Sequence, residues 1–95
     1  YKKLKSNDKH ELRAIRTFRK AVSEIVDSPG HSQLRTACLV FGGRVGAGYV
    51  GMINAEQELD SLVRQNSYLS KGLSGYLTTA NWALKEGIKI PNYYN

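Results

Sequence analysis

Four cations recur near the start of this chain, Lys9, Arg13, Arg16 and Lys20, at offsets of 0, 4, 7 and 11 residues. On an α-helix turning about 100° per residue, that spacing stacks them into one stripe. Like charges on successive turns of one face repel each other, so helix stability alone does not favour the arrangement. The chemistry such a stripe offers is neutralisation of a row of anions, and a phosphate backbone presents such a row. The charge balance points the same way. Residues 1–20 hold eight Lys and Arg against Asp8 and Glu11, which accounts for the whole net charge of +6, and the rest of the chain carries six of each sign. An anionic partner is implied, nucleic acid ahead of membrane. A simply solvated helix face is the competing explanation.

The other residues with chemical potential form no catalytic set. Gly43 to Gly48, GRVGAG, has the order G-x-x-G-x-G, follows a helical pattern instead of a strand, and is not followed by GK[ST]. It matches neither the dinucleotide fingerprint nor the Walker loop, so helix packing and capping explain it better, with Arg44 a candidate phosphate contact. Lys71 to Gly75, KGLSG, puts a lysine beside G-x-x-G at the entrance of a helix, where backbone N–H groups can hold a phosphate. An ordinary flexible helix entry is the alternative there. His31 and Cys38 are seven residues apart, about 10 Å along a helix and too far for a nucleophile and its base. Two His and one Cys cannot supply four zinc ligands, and Cys38 fits a small buried hydrophobe. Glu56, Glu58 and Asp60 belong to an exposed helix face. No enzyme, metal or cofactor is expected. The six tyrosines invite base stacking, but Tyr49, Tyr68 and Tyr76 fall beside core positions.

Four helices must position these residues. The first is expected from about Asp8 to Asp27, with Leu12, Ile15, Phe18, Val22, Ile25 and Val26 at three- and four-residue spacing, Asn7 or Asp8 as its cap and Ser28-Pro29-Gly30 at its end. The second begins near Ser32 and turns Leu34, Ala37, Cys38, Phe41 and Val45 toward the first. Each glycine in a helix costs about 1 kcal/mol relative to alanine, so Gly42 and Gly46 predict close approach of a neighbouring helix backbone. Gly48 supplies a positive φ at the helix end. The third helix starts with Asn54 as N-cap and Gln57 reaching back to it, buries Leu59, Leu62 and Val63, and closes at Asn66-Ser67. The fourth enters between Ser70 and Ser74, runs through Tyr76, Leu77, Ala80, Ala83 and Leu84, and stops at Gly87. In the tail IKIPNYYN, Ile88 or Ile90 folds back onto the core. A hairpin of CLVF and YVGMI around the glycine turn competes with this central reading.

Ninety-five residues make one domain. The start, YKKLKSNDKH, has no apolar run and no initiator Met, so no signal peptide is read, residues 1–7 are expected frayed or a linker, and the chain is expected to be a piece of a longer protein. No apolar run reaches the roughly 18 residues of a membrane span. A lone Cys38 fits a reducing compartment, so a cytoplasmic protein without a membrane partner is expected.

Three segments, HSQLRTACLVFGG, VGAGYVGMINAEQELDSLVRQN and TTANWALKEGIKIP, follow one another in an order that resembles the helical domain near the C-terminus of phage and plasmid primases, including primase–polymerases and virulence-associated replication proteins. The resemblance spans about residues 14 to 91 and lies in spacing more than identity. It implies an accessory role in priming or replication, by touching template DNA or by linking primase to helicase. The carboxylates that hold the catalytic metal in that family lie in a separate domain. Lys71-Gly72-Leu73-Ser74-Gly75 replaces the family's commoner glutamate-rich helix entry.

The expectation is therefore an all-α bundle of four main helices with a short C-terminal tail, acting as a non-catalytic DNA-binding accessory domain of a mobile-element or phage replication protein. Sequence-independent phosphate contact is expected from Lys9, Arg13, Arg16 and Lys20, with Arg44 and Lys71. The alternative is an interaction module whose glycine-bearing second helix docks a primase or helicase domain. A DNA-reading pair of the second and third helices is disfavoured by Glu56, Glu58 and Asp60, which have the wrong sign.

Overall fold

The computed structural model describes residues 3–94, with side chains from Lys9 onward. Four α-helices follow in order, α1 (Lys3–Ser23), α2 (Gly30–Gly46), α3 (Met52–Gln65) and α4 (Leu73–Ile88), with a 3-10 turn over Leu69–Gly72. No strand occurs among the described residues, so CLVF is helical within α2 and the hairpin does not form. Tyr1 and Lys2 lie outside the described residues. From Lys3 the backbone is already helical, which places Asn7 and Asp8 inside α1 instead of at its cap.

The first helix buries Ala14, Phe18 and Val22, each at most 2% exposed, at the four-residue spacing of one face. It ends at Ser23, four residues short of the expected Asp27, where the Ser23 hydroxyl donates to the Lys20 carbonyl at 2.8 Å. Ile25 stays buried in the connection beyond, while Leu12 and Val26 of the expected apolar face are exposed. The Asn66 side chain explains the early stop. Its Nδ2 donates to the Val22 and Ile25 carbonyls at 3.0 Å, and its Oδ1 accepts from the N–H groups of Tyr68 and Leu69 at 2.9 Å. One amide thus terminates α1 and starts the 3-10 turn.

The second helix begins at Gly30, ahead of Ser32, without a side-chain cap. Leu34, Ala37, Cys38 and Phe41 are buried along it as expected, and the Phe41 ring stacks on Phe18 of α1 with centroids 4.2 Å apart. Its most extensive packing is nevertheless against α4. There the glycines bring backbone onto backbone. A Cβ on Gly42 would strike the Leu84 carbonyl oxygen and lie 2.9 Å from the Gly87 Cα, and one on Gly46 would strike the Ile88 carbonyl. Gly87, expected as a helix stop, is instead buried inside the last turn of α4 against the Leu39 carbonyl, and the helix ends at Ile88. Gly48 takes φ +89°, as anticipated for the end of α2.

The third helix starts at Met52 after extended Gly51, not at Asn54, and shows no side-chain cap. Ala55, Leu59 and Val63 are fully buried, and Met52 precedes Ala55 by three residues on the same face, so core contact draws the helix two residues upstream of the polar cap. Leu62 is only half-buried. Arg19 clamps α1 to α3 with two bonds to the Glu58 carboxylate, at 2.6 and 3.1 Å. The fourth helix enters at Leu73, inside the expected window, and buries Ala80, Ala83 and Leu84. In the tail Ile90 is exposed and Ile88, half-buried, belongs to α4. The Asn92 N–H makes the return contact instead, to the Gly43 carbonyl at 2.9 Å.

Candidate nucleic-acid interface

Helical spacing puts Lys9, Arg13, Arg16 and Lys20 on the side of α1 turned from the core, and all four side chains are exposed. Lys9 and Lys20 are eleven residues apart, so the stripe runs about 16 Å along the axis. Lys9, Arg13 and Arg16 surround one shallow depression with Leu12 and Thr17. Among the described side chains, the ion pairs are Arg19–Glu58, Arg64–Asp60 and Lys89–Glu86. Each of these neutralises a cation outside the stripe.

Arg44 joins the stripe through the tail. Its guanidinium lies 3.6 Å from the Tyr94 ring centroid and donates to the Asn92 carbonyl at 2.7 Å. The Arg13 guanidinium lies 4.2 Å from the same ring. Cations gather over an aromatic face because the ring quadrupole attracts them. Lys71 is exposed on the 3-10 turn, which packs against α3 and α4.

Sequence reasoning missed the cluster around Tyr94. His10 stacks on it at 5.1 Å and meets Tyr49 at 4.7 Å, and the Tyr49 hydroxyl accepts from the Tyr94 N–H at 3.1 Å. The Tyr93-Tyr94 pair in an aperiodic tail gave no sign of which helix ends it would meet. Tyr49, Tyr68 and Tyr76 are half-buried, in line with core edges.

The remaining motifs are held in structure. In GRVGAG, the N–H groups of Ala47, Gly48 and Tyr49 bond back to the Gly43, Val45 and Arg44 carbonyls, so the segment closes α2 and offers no anion cradle there. KGLSG forms the end of the 3-10 turn and the first residues of α4. His31 stacks on Tyr76 at 4.3 Å with Nδ1 3.0 Å from the Thr79 hydroxyl, which ties the start of α2 to α4. A hydrogen bond with Tyr68 holds the Tyr76 phenol above its ordinary pKa. Cys38 is fully buried, and burial pushes its thiol up to about 12, which keeps it protonated and unreactive. Glu58 and Asp60 serve in ion pairs.

A second surface feature adjoins the stripe. Between α1 and α2 runs an open groove of about 210 Å³, bottomed by Phe18 and Phe41 and lined also by Arg44 and Tyr94. Thr17 borders both this groove and the basic depression. Among the described residues no helix is long and apolar enough to cross a membrane. No protein-family model matches the chain, no curated protein matches it, and no solved structure does.

Proposed function

We propose that this chain is a non-catalytic, nucleic-acid-binding accessory domain that contacts phosphates without sequence preference through Lys9, Arg13, Arg16 and Lys20. The observation that carries the reading is an exposed row of four cations on one helix face, in the segment 1–20 whose charge equals the whole net charge of +6. Arg44 extends the row, held beside Arg13 by Tyr94. Lys71 is an outlying contact at most. The order of helices and glycines supports a parent protein of the phage or plasmid primase class, working on DNA in the cytoplasm. The interaction-module alternative loses its original motive, because Gly42 and Gly46 face α4 of the same chain.

Fluorescence anisotropy with labelled DNA at several salt concentrations tests the reading. Each phosphate neutralised contributes about 0.7–0.9 to the slope of log affinity against log salt, so four contacts give about −3. Arg16 and Lys20 are the cleaner residues to reverse, since Arg13 also packs on Tyr94. Arg16→Glu with Lys20→Glu should remove most binding and leave the helical spectrum unchanged. Equal binding by wild type and variant would reduce the stripe to a solvated face.

A further inference from the structure

The groove between α1 and α2 exists because the facing positions carry small side chains. Ala14 and Ala21 of α1 and Ala37 of α2 line it, and the Phe18 and Phe41 rings beneath are almost fully covered, so the accessible surface belongs mainly to Ala21, exposed Val40 and the polar rim. Its volume of about 210 Å³ exceeds the roughly 150 Å³ cavity that admits a benzene molecule. The space is large enough for one ring of that size. The walls are apolar, and three exposed polar side chains, Thr17, Gln33 and Thr36, stand at the mouth. Among the described residues no carboxylate lines the groove, whereas Arg44 lines it and Arg13 and Arg16 flank the depression that shares Thr17 with it.

A fitting occupant has an apolar flat ring, hydrogen-bonding atoms on the ring edge, and an attached negative charge. An unpaired nucleobase meets all three requirements. In a duplex the ring faces are stacked and hidden, but in a single strand a base can swing out of the chain. We infer that the α1–α2 groove receives an unstacked base of single-stranded nucleic acid whose phosphates lie along the basic stripe. The inference rests on the phosphate contacts proposed above. The small residues then give the strand a base-dependent foothold that charge alone does not provide.

The experiment compares two labelled strands of equal length, oligothymidylate and the same sugar-phosphate chain carrying abasic sites throughout. Both have the same phosphates, so the stripe treats them alike. Accommodation of one base should make oligothymidylate bind roughly ten- to 150-fold more tightly at the same salt, the gain for taking one ring-sized apolar group out of water. The salt slopes of the two strands should agree. Ala21→Leu and Thr36→Leu, which fill the groove from opposite sides, should each lower oligothymidylate binding to the abasic level and leave abasic binding unchanged. Ala21 is half-buried and Thr36 exposed, so the second variant reports even if the first fails to fold. Equal wild-type affinity for both strands overturns the base slot while the phosphate reading stands. So does a base-dependent gain that survives groove filling, which would put the base elsewhere. Absence of binding to either strand overturns the phosphate reading and the slot together.

Discussion

Gly42→Ala is a sharp test of how the fold is held, because two physical effects predict opposite signs. Alanine in place of glycine inside a helix is worth about 1 kcal/mol in its favour. Were Gly42 an ordinary helix position, the variant would be more stable than the wild type. The structure predicts the reverse. An added Cβ would strike the Leu84 carbonyl oxygen, sit 2.9 Å from the Gly87 Cα and lie 3.1 Å from the Ile88 nitrogen. All three atoms are backbone, so no side chain can rotate aside. The α2–α4 crossing must open instead, and Phe41 and Leu84 move with it. Overpacking of this kind costs about 1–3 kcal/mol, which leaves a net loss of up to about 2 kcal/mol after the propensity gain. For a domain of this size each kcal/mol shifts Tm by about 4–8 °C, so thermal melts followed by circular dichroism should show Tm lower by up to about 16 °C. Gly75→Ala is the control. It lies within α4 and its would-be Cβ meets only the His31 Cε1 at 3.9 Å, an ordinary contact, so its Tm should hold or rise. A Gly42→Ala protein melting about 4–8 °C above the wild type, the gain of an uncrowded helix position, would refute the close crossing.

Two further outcomes follow from single side chains. Asn66→Asp keeps the acceptor for the Tyr68 and Leu69 N–H groups but loses the donor to the Val22 and Ile25 carbonyls; urea titration should show it less stable by roughly 1–3 kcal/mol, and an unchanged midpoint would mean the Nδ2 bonds contribute nothing. Cys38 gives a pH signature. Its folded thiol is pushed up to about 12, whereas an unfolded thiol titrates near 8.5, so the folded state retains a proton that the unfolded state releases. The stability this retained proton contributes is fully present below the unfolded pKa and is lost as pH rises from there toward the folded value. Unfolding free energies measured from pH 8 upward should therefore fall more steeply for the wild type than for Cys38→Ala, and parallel profiles would show that the thiol is not shielded.

What the sequence determined by itself was local. Helical periodicity in Phe18 and Val22 of α1 and in Leu34, Cys38 and Phe41 of α2 depends only on neighbours three and four residues away, so it announces both helices and their buried faces. The stripe from Lys9 to Lys20 was legible for the same reason. Two helix glycines without a local purpose signalled a close backbone neighbour, though not which helix would supply it. Tertiary structure decided the rest, because it depends on groups distant along the chain. Asn66 ends α1 from 41 residues beyond Ile25, and no cap signal at Ser23 could have foretold that. Core contact at Ala55 started α3 at Met52, ahead of the polar cap expected at Asn54. Gly87 looked like a terminator until its partner Gly42 was known. Arg44 reached the stripe only through Tyr94, which belongs to neither helix. The groove too is a property of a pair, since Ala14, Ala21 and Ala37 are ordinary small residues until α1 and α2 lie side by side and leave the space between them unfilled.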